Sequence, residues 1–209
     1  MKTLLTPLRP SRQVVAGLIL ALFVAIPVAG IAQTPDAFDW KAKLQFHSKK
    51  AYGPLAIVGF AAYAAALQKF DSPKEWGQGG AAYGKRFAST VGWAGIHGTL
   101  AFGLDSALHQ DPRYYRSGGA GFWRRAGHAV RGTILTRTDT GGETLCTWRL
   151  GSDYGAAFLS NMWYPDRLNT PRQGFIHGSV TLGFDLAGNL GAEFWPDIKS
   201  KVFRRKVGP

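Results

Sequence analysis

Glycine and other small residues recur at every fourth position through long stretches that carry almost no charge. This spacing limits what the chain can become. Gly80, Gly84, Ala88 and Gly92 form one series, Gly95, Thr99, Gly103 and Ala107 a second, and Gly183, Ala187 and Gly191 a third. Small residues at that spacing let two helix backbones approach closely. In water each glycine inside a helix costs about 1 kcal/mol against alanine, so close packing or lipid must offset the series. A competing pattern runs through the same residues. Ile176, Val180, Leu182, Phe184, Leu186 and Leu190 fall on even positions, and His177, Ser179, Thr181, Asp185 and Asn189 on odd ones. That alternation also describes a barrel strand. The uninterrupted segments exceed ordinary strand length, which favours helix. The expected fold is mainly α, a compact Gly/Ala-rich bundle of about five or six helices, with a small β-barrel as the alternative.

Local signals divide the chain further. Asp39 can cap a short helix with Trp40, Leu44 and Ala51 toward one face. Gly53-Pro54 restarts the chain, with proline suited to a first helical turn. Ser72-Pro73-Lys74-Glu75 reads as a capping box, predicting a helix from Pro73 to about His109 that Asp111-Pro112 stops. A Gly-rich loop covers Ser117 to Gly121, and a basic segment Phe122 to Leu135. Asp139 to Gly142 reads as a turn. Ser152-Asp153 can start a helix to about Trp163. The last long segment runs from Pro171 to Phe194 and is expected to break at Pro196.

An internal echo singles out four residues. Ile96-His97-Gly98-Thr99 matches Ile176-His177-Gly178-Ser179, and Gly103-Leu104-Asp105 matches Gly183-Phe184-Asp185. Upstream, Gly80-Ala81-Ala82-Tyr83 echoes Gly155-Ala156-Ala157-Phe158. The pattern predicts a duplicated two-helix unit packed antiparallel, and chance in a Gly/Ala-rich chain is the alternative. His97, Asp105, His177 and Asp185 lie in nearly uncharged surroundings and should be paired when buried. The expected pairs are His97 with Asp185 and His177 with Asp105. Two readings stay open: structural hydrogen bonds that set register, or a two-His, two-carboxylate metal or proton site.

Before Gln33 the chain reads as an address. Lys2, Arg9 and Arg12 precede an uncharged run from Val14 to Ala32, and Gly30 and Ala32 suit a cut before Gln33. This is the layout of a secretory signal, with an uncleaved anchor as the alternative. The expected divisions are a signal at 1–32, one helical domain at 33–198 and a basic tail at 199–209. The whole chain carries a net charge of +12. In an exported protein of the bacterial periplasm or envelope membrane, such charge suits anionic lipid or a membrane surface rather than nucleic acid. The solitary Cys146 excludes a disulfide scaffold and reads as a buried small hydrophobe.

Arg113 and Arg116, beside Tyr114 and Tyr115, could grip a phosphate or carboxylate, or simply close a turn. Arg124, Arg125 and Arg131, with His128, recur at helical spacing after Phe122-Trp123. That face suits a lipid surface, with an ordinary solvated face as the alternative. The chain has no G-x-S-x-G, H-E-x-x-H, P-loop or G-x-G-x-x-G motif. No motif points to a cofactor, and none assigns a catalytic residue. Tyr52 to Gln68, Phe87 to Leu104 and Gln173 to Ala192 are candidate spans, but nine arginines between the second and third favour a peripheral or partly embedded protein.

Four strings carry a resemblance: Asp111-Pro112-Arg113-Tyr114, Thr136 to Gly141, Ser160 to Pro165, and Glu193 to Ile198. Over about Pro73 to Ile198 the chain resembles a group of uncharacterised bacterial proteins that carry signal peptides. The resemblance implies export and transfers no catalytic residue. The expected function is that of an exported, membrane-associated envelope protein with a structural or binding role. The alternatives are a metal-dependent enzyme or hydrolase using the His/Asp pairs, and a binder of lipid or another apolar ligand.

Overall fold

The computed structural model describes residues 38–204, so the secretory address and the end of the basic tail lie outside the described residues. Helices dominate: α1 (Trp40–Tyr52), α2 (Pro54–Lys69), α3 (Gly80–Ala107), α4 (Phe122–Ile134), α5 (Thr147–Asn161) and α6 (Pro171–Arg204). A small antiparallel sheet holds β1 (Gln110–Asp111), β2 (Leu135–Thr138) and β3 (Glu143–Leu145), in that order. The fold is a mainly helical bundle, and the barrel alternative falls.

The early helix starts form as expected, but the inward face of α1 differs: Trp40 and Leu44 are exposed, and Lys43 and His47 are buried with Ala51. Asp39 accepts a hydrogen bond from the Ala42 amide at 2.8 Å and caps α1. Pro54 opens α2, where its missing N–H leaves no helical bond unmade. The capping box at Ser72 does not form. Residues Lys74–Trp76 make one 3-10 turn, and α3 begins only at Gly80, after Gly79 has turned the chain through a left-handed conformation (φ 93°). Glu75 turns away to pair with Arg167 at 2.9 Å. The buried guanidinium of Arg86 organises this loop, donating to the carbonyls of Ser72, Pro73 and Gly77 and to Gln68 Oε1. Four acceptors on one side chain outweigh one cap.

Two other boundaries move. α5 starts at Thr147, so Ser152 and Asp153 lie inside it, fully buried, rather than at its start. α6 continues through Pro196 to Arg204. Arg125 of α4 braces it on both sides of the proline, bonding Glu193 before it and Asp197 after it.

α5 is the central element, packed against α3 on one side and α6 on the other; α1 and α2 lean on α3, and α4 on α6. α3 and α6 therefore share no extended contact, and the expected antiparallel pairing of their His segments does not occur. The duplicated two-helix unit fails for a second reason. Both motifs of the first copy lie on the single helix α3, whereas those of the second are split between α5 and α6.

Close approach does occur, at Gly95 of the expected series, where a Cβ would strike the Tyr52 hydroxyl, and at glycines outside it. A Cβ on Gly155 would sit 2.9 Å from the Leu100 side chain, and Cβ atoms on Gly174 and Gly178 would strike the rings of Phe158 and Tyr154. Gly80, Gly84, Gly103 and Gly183 instead face open space.

The interior is polar. Among the described residues twelve hydrophobic residues are buried, eight of them alanine, against seventeen polar or charged ones. Ala101, Cys146 and Trp148, with Leu104 beside them, form the apolar cluster. Large apolar side chains lie outside, including Leu55, Val58, Trp123, Met162 and Phe175. Charged residues are seldom buried unless paired, so this interior rests on how its charges meet.

Candidate functional site

Each helix around α5 turns one polar stripe inward. On α5 the buried positions are Trp148, Arg149, Ser152, Asp153, Ala156, Ala157, Ser160 and Asn161, a helical repeat with mostly polar occupants. α1 supplies Lys43 and His47 four residues apart, with Lys50 a turn further on. α3 supplies His97 and Asp105, and α6 supplies Asp185, Asn189 and Glu193 at four-residue steps.

The pairs that form differ from the expected ones. His97 Nε2 bonds Asp153 Oδ1 at 2.9 Å, not Asp185. Asp105 Oδ2 lies 2.6 Å from Nε2 of His47, not His177. Asp185 is held by Arg149 Nε at 3.1 Å and Lys50 Nζ at 3.3 Å. His177 rests against the Tyr164 ring, where burial pulls its pKa below the ordinary value and favours the neutral form. Lys43, nearly fully buried, donates to the Asp105 carbonyl at 3.1 Å and to Asp139 Oδ2 at 2.7 Å, tying α1 to the β2–β3 turn. Thus α1, α3, α5 and α6 are joined by three groups of paired polar side chains in the bundle centre.

The group at His97 has the components of a nucleophile relay but not its geometry. Ser152 Oγ lies 3.2 Å from the same Nε2 that meets Asp153, whereas a relay needs hydroxyl and carboxylate on opposite ring nitrogens. The Ser152 hydroxyl also donates to the Arg149 carbonyl at 3.1 Å, so its proton is already placed. Trp93 stacks on the imidazole at 5.0 Å. Burial pushes the Asp153 carboxyl up; the His97 bond opposes that push and Asp185 adds to it. Burial pushes Asp185 up too, but the charges of Lys50 and Arg149 outweigh it and hold the carboxyl down. Among the described residues no three His, Cys, Asp or Glu side chains gather to hold a metal ion. Cys146 is free and buried, and burial raises its pKa away from the reactive thiolate.

The arginine candidates divide in two. Arg113 forks onto Asp111, with Nη2 at 2.7 Å from Oδ2, and lies 4.1 Å over the Phe38 ring. Burial pushes the Asp111 carboxyl up, yet its bonds from Arg113 and Tyr115 win and keep it below its ordinary value. Arg125 binds Glu193 and Asp197. Glu193 also accepts from the Tyr114 hydroxyl at 2.9 Å and from Ser117. These two arginines are fasteners of the 111–121 segment. Arg131 pairs at the surface with Glu143. Arg116 and Arg124 are exposed and have no ion-pair partner among the described residues.

Sequence reasoning missed His47, Lys43, Arg149 and Asp153. The helical repeat of Arg149, Ser152, Asp153, Ala156 and Ser160 was available, but a search for apolar stripes passes over a polar one. Comparison with known protein families, with curated proteins and with solved structures finds no match for this chain.

Proposed function

We propose that this is an exported, membrane-associated envelope protein that acts through packing or binding rather than catalysis. The observation that supports the reading is the inverted polarity of the bundle: charged pairs and alanines inside, large apolar side chains outside. In water such an exterior would lose the main driving force of folding, whereas lipid solvates it without penalty. The bundle is read as partly embedded. α4 and α5, with 13 and 15 residues, are shorter than the roughly 20 residues a span requires. Among the described residues one stretch, Trp40–Lys69, has the length and composition to cross a membrane. The internal ion pairs fix helix register, the role in which buried polar groups are best attested. Fractionation of cells expressing the full chain tests the reading: the protein should stay in the membrane pellet after a carbonate wash. Recovery in the soluble fraction before the wash overturns it.

A second reading, a binder of an apolar ligand, has one observation in its favour. A shallow, open groove of about 550 Å³ lies between the end of α1, α3 and α5, lined by Tyr52, Val91, Gly92, Ile96, Leu100 and Leu159. That volume lies in the range of small-molecule sites. Extraction of the purified protein with organic solvent, followed by mass spectrometry, should then release a stoichiometric lipid.

A further inference from the structure

We propose that the outer face of α4, together with Arg116, docks onto anionic lipid headgroups; this rests on the membrane reading above and names where and by what chemistry contact is made. α4 is held rigidly from behind. Ala129 and Thr133 are buried against α6, where Asn189 donates to the Thr133 hydroxyl at 2.9 Å. Arg125 fastens the helix to Glu193, and His128 Nε2 donates to the Tyr115 carbonyl at 2.9 Å. The opposite face carries Trp123, Val130 and Ile134 at helical spacing, with Trp123 83% exposed. Among the described residues nothing covers this stripe.

Charge selects the occupant. Arg124 and Arg131 are seven residues apart, so they stand on one edge of the stripe, two turns from each other. From Pro112 to Ile134 the chain has five arginines and no acid; Arg113, Arg125 and Arg131 pair with carboxylates elsewhere in the fold, and Arg116 and Arg124 have no ion-pair partner among the described residues. Phe122, next to Trp123, stacks on Phe194 of α6 at 5.1 Å. Beyond that point the sequence carries five more basic residues, from Lys199 to Lys206, and again no acid. An indole and aliphatic side chains beside guanidinium groups match the boundary between acyl chains and phosphates. A neutral protein partner would leave Arg116 and Arg124 unpaired on burial; phosphodiester anions would not.

The test measures binding of the purified full chain to vesicles of phosphatidylcholine alone and of phosphatidylcholine mixed with phosphatidylglycerol. Binding should be tighter to the mixed vesicles and weaken with added salt. Each of Arg116→Ala and Arg124→Ala should weaken it about fivefold, and the double variant about 25-fold, on the mixed vesicles only. Trp123→Ala should weaken binding to both. All three side chains are exposed, and circular dichroism should show the fold intact. Equal binding to both vesicles, or arginine variants that bind like the parent, overturns this proposal and leaves the membrane reading standing. Failure to bind either vesicle, with the protein absent from the carbonate-washed pellet, overturns both. A soluble dimer that Trp123→Ala dissociates, without lipid preference, assigns the face to a second copy instead.

Discussion

α4 and α5 are nearly equal in length, and both carry arginine beside tryptophan, yet they treat these residues in opposite ways. α5 buries Trp148 and Arg149; α4 exposes Trp123 and Arg124. The difference lies in what the neighbouring helices offer. Around Arg149 stand Asp185, the carbonyls of Gly132 and Thr133, and the Cys146 sulfur. Around Arg124 the described residues offer no carboxylate. A guanidinium leaves water only where donors and charge are both matched, so partner geometry, not residue type, decides which side of a helix faces inward.

The largest expected effect follows from that contrast. Arg149→Met leaves Asp185 with Lys50 alone and takes the donor from three acceptors, and should cost about 3–5 kcal/mol in chemical denaturation. Arg149→Met combined with Asp185→Leu should recover part of the loss. A single variant with an unchanged midpoint would mean that the inner pair contributes nothing and that the contrast with α4 is one of position alone.

Glycine supplies the next test. Gly178→Ala pushes a methyl into the Tyr154 ring and should cost about 1–3 kcal/mol. Gly183→Ala, one helical turn and a residue further along α6, meets no neighbour and should stabilise by up to about 1 kcal/mol, because alanine is the better helix former. Equal effects would show that α6 is rotated from the orientation described.

His97→Leu leaves Asp153 without its bond and should cost roughly 1–3 kcal/mol, and His97→Leu with Asp153→Leu should cost less than the sum of the singles. Additive values in the double-mutant cycle would break the pair.

A smaller effect depends on pH. Burial lowers the His177 pKa below its ordinary 6.5, so the unfolded chain binds the proton more readily. Stability should therefore be full above pH 6.5 and decline as pH falls through the folded-state value. Thermal melts of the parent should shift downward between neutral and mildly acid buffer, and His177→Gln should flatten that shift. Asp111 and Glu193, both held below their ordinary values, act only lower, as pH falls below about 4.

These contrasts show why parts of the molecule were legible in sequence and others were not. Asp39, Gly53-Pro54 and the Asp139–Gly142 turn act through near neighbours, and each forms as read. Ser72 satisfies the same local rule and fails, because Arg86 of α3 reaches back to claim the loop carbonyls. Of the small residues spaced by four, Gly95 does mark close approach, to Tyr52, whereas Gly103 and Gly183 face open space and the tight contacts of α6 fall at Gly174 and Gly178, outside the series. Periodicity alone cannot say which side of a helix has a neighbour. The His and Asp residues were recognised as out of place in uncharged surroundings. Their partners were not, because His97 and His47 are paired across more than fifty residues, and α5 enters between the two helices that the echo had joined.

The smallest expected effect is at Arg131, which stands between the two regimes. Like Arg149 it has a carboxylate partner, with Nε 3.0 Å from Glu143 Oε1. Like Arg124 it lies on the exposed side of α4. If a partner alone made an arginine structural, Arg131→Ala would weaken the fold. If burial is also required, water and salt screen the pair and replace it when it is lost. The expected outcome is a denaturation midpoint that does not move, in low salt or high, for Arg131→Ala, Glu143→Ala or the double variant. A drop that salt abolishes would show that the β2–β3 hairpin depends on this surface pair, and that the division between buried and exposed arginines is one of degree.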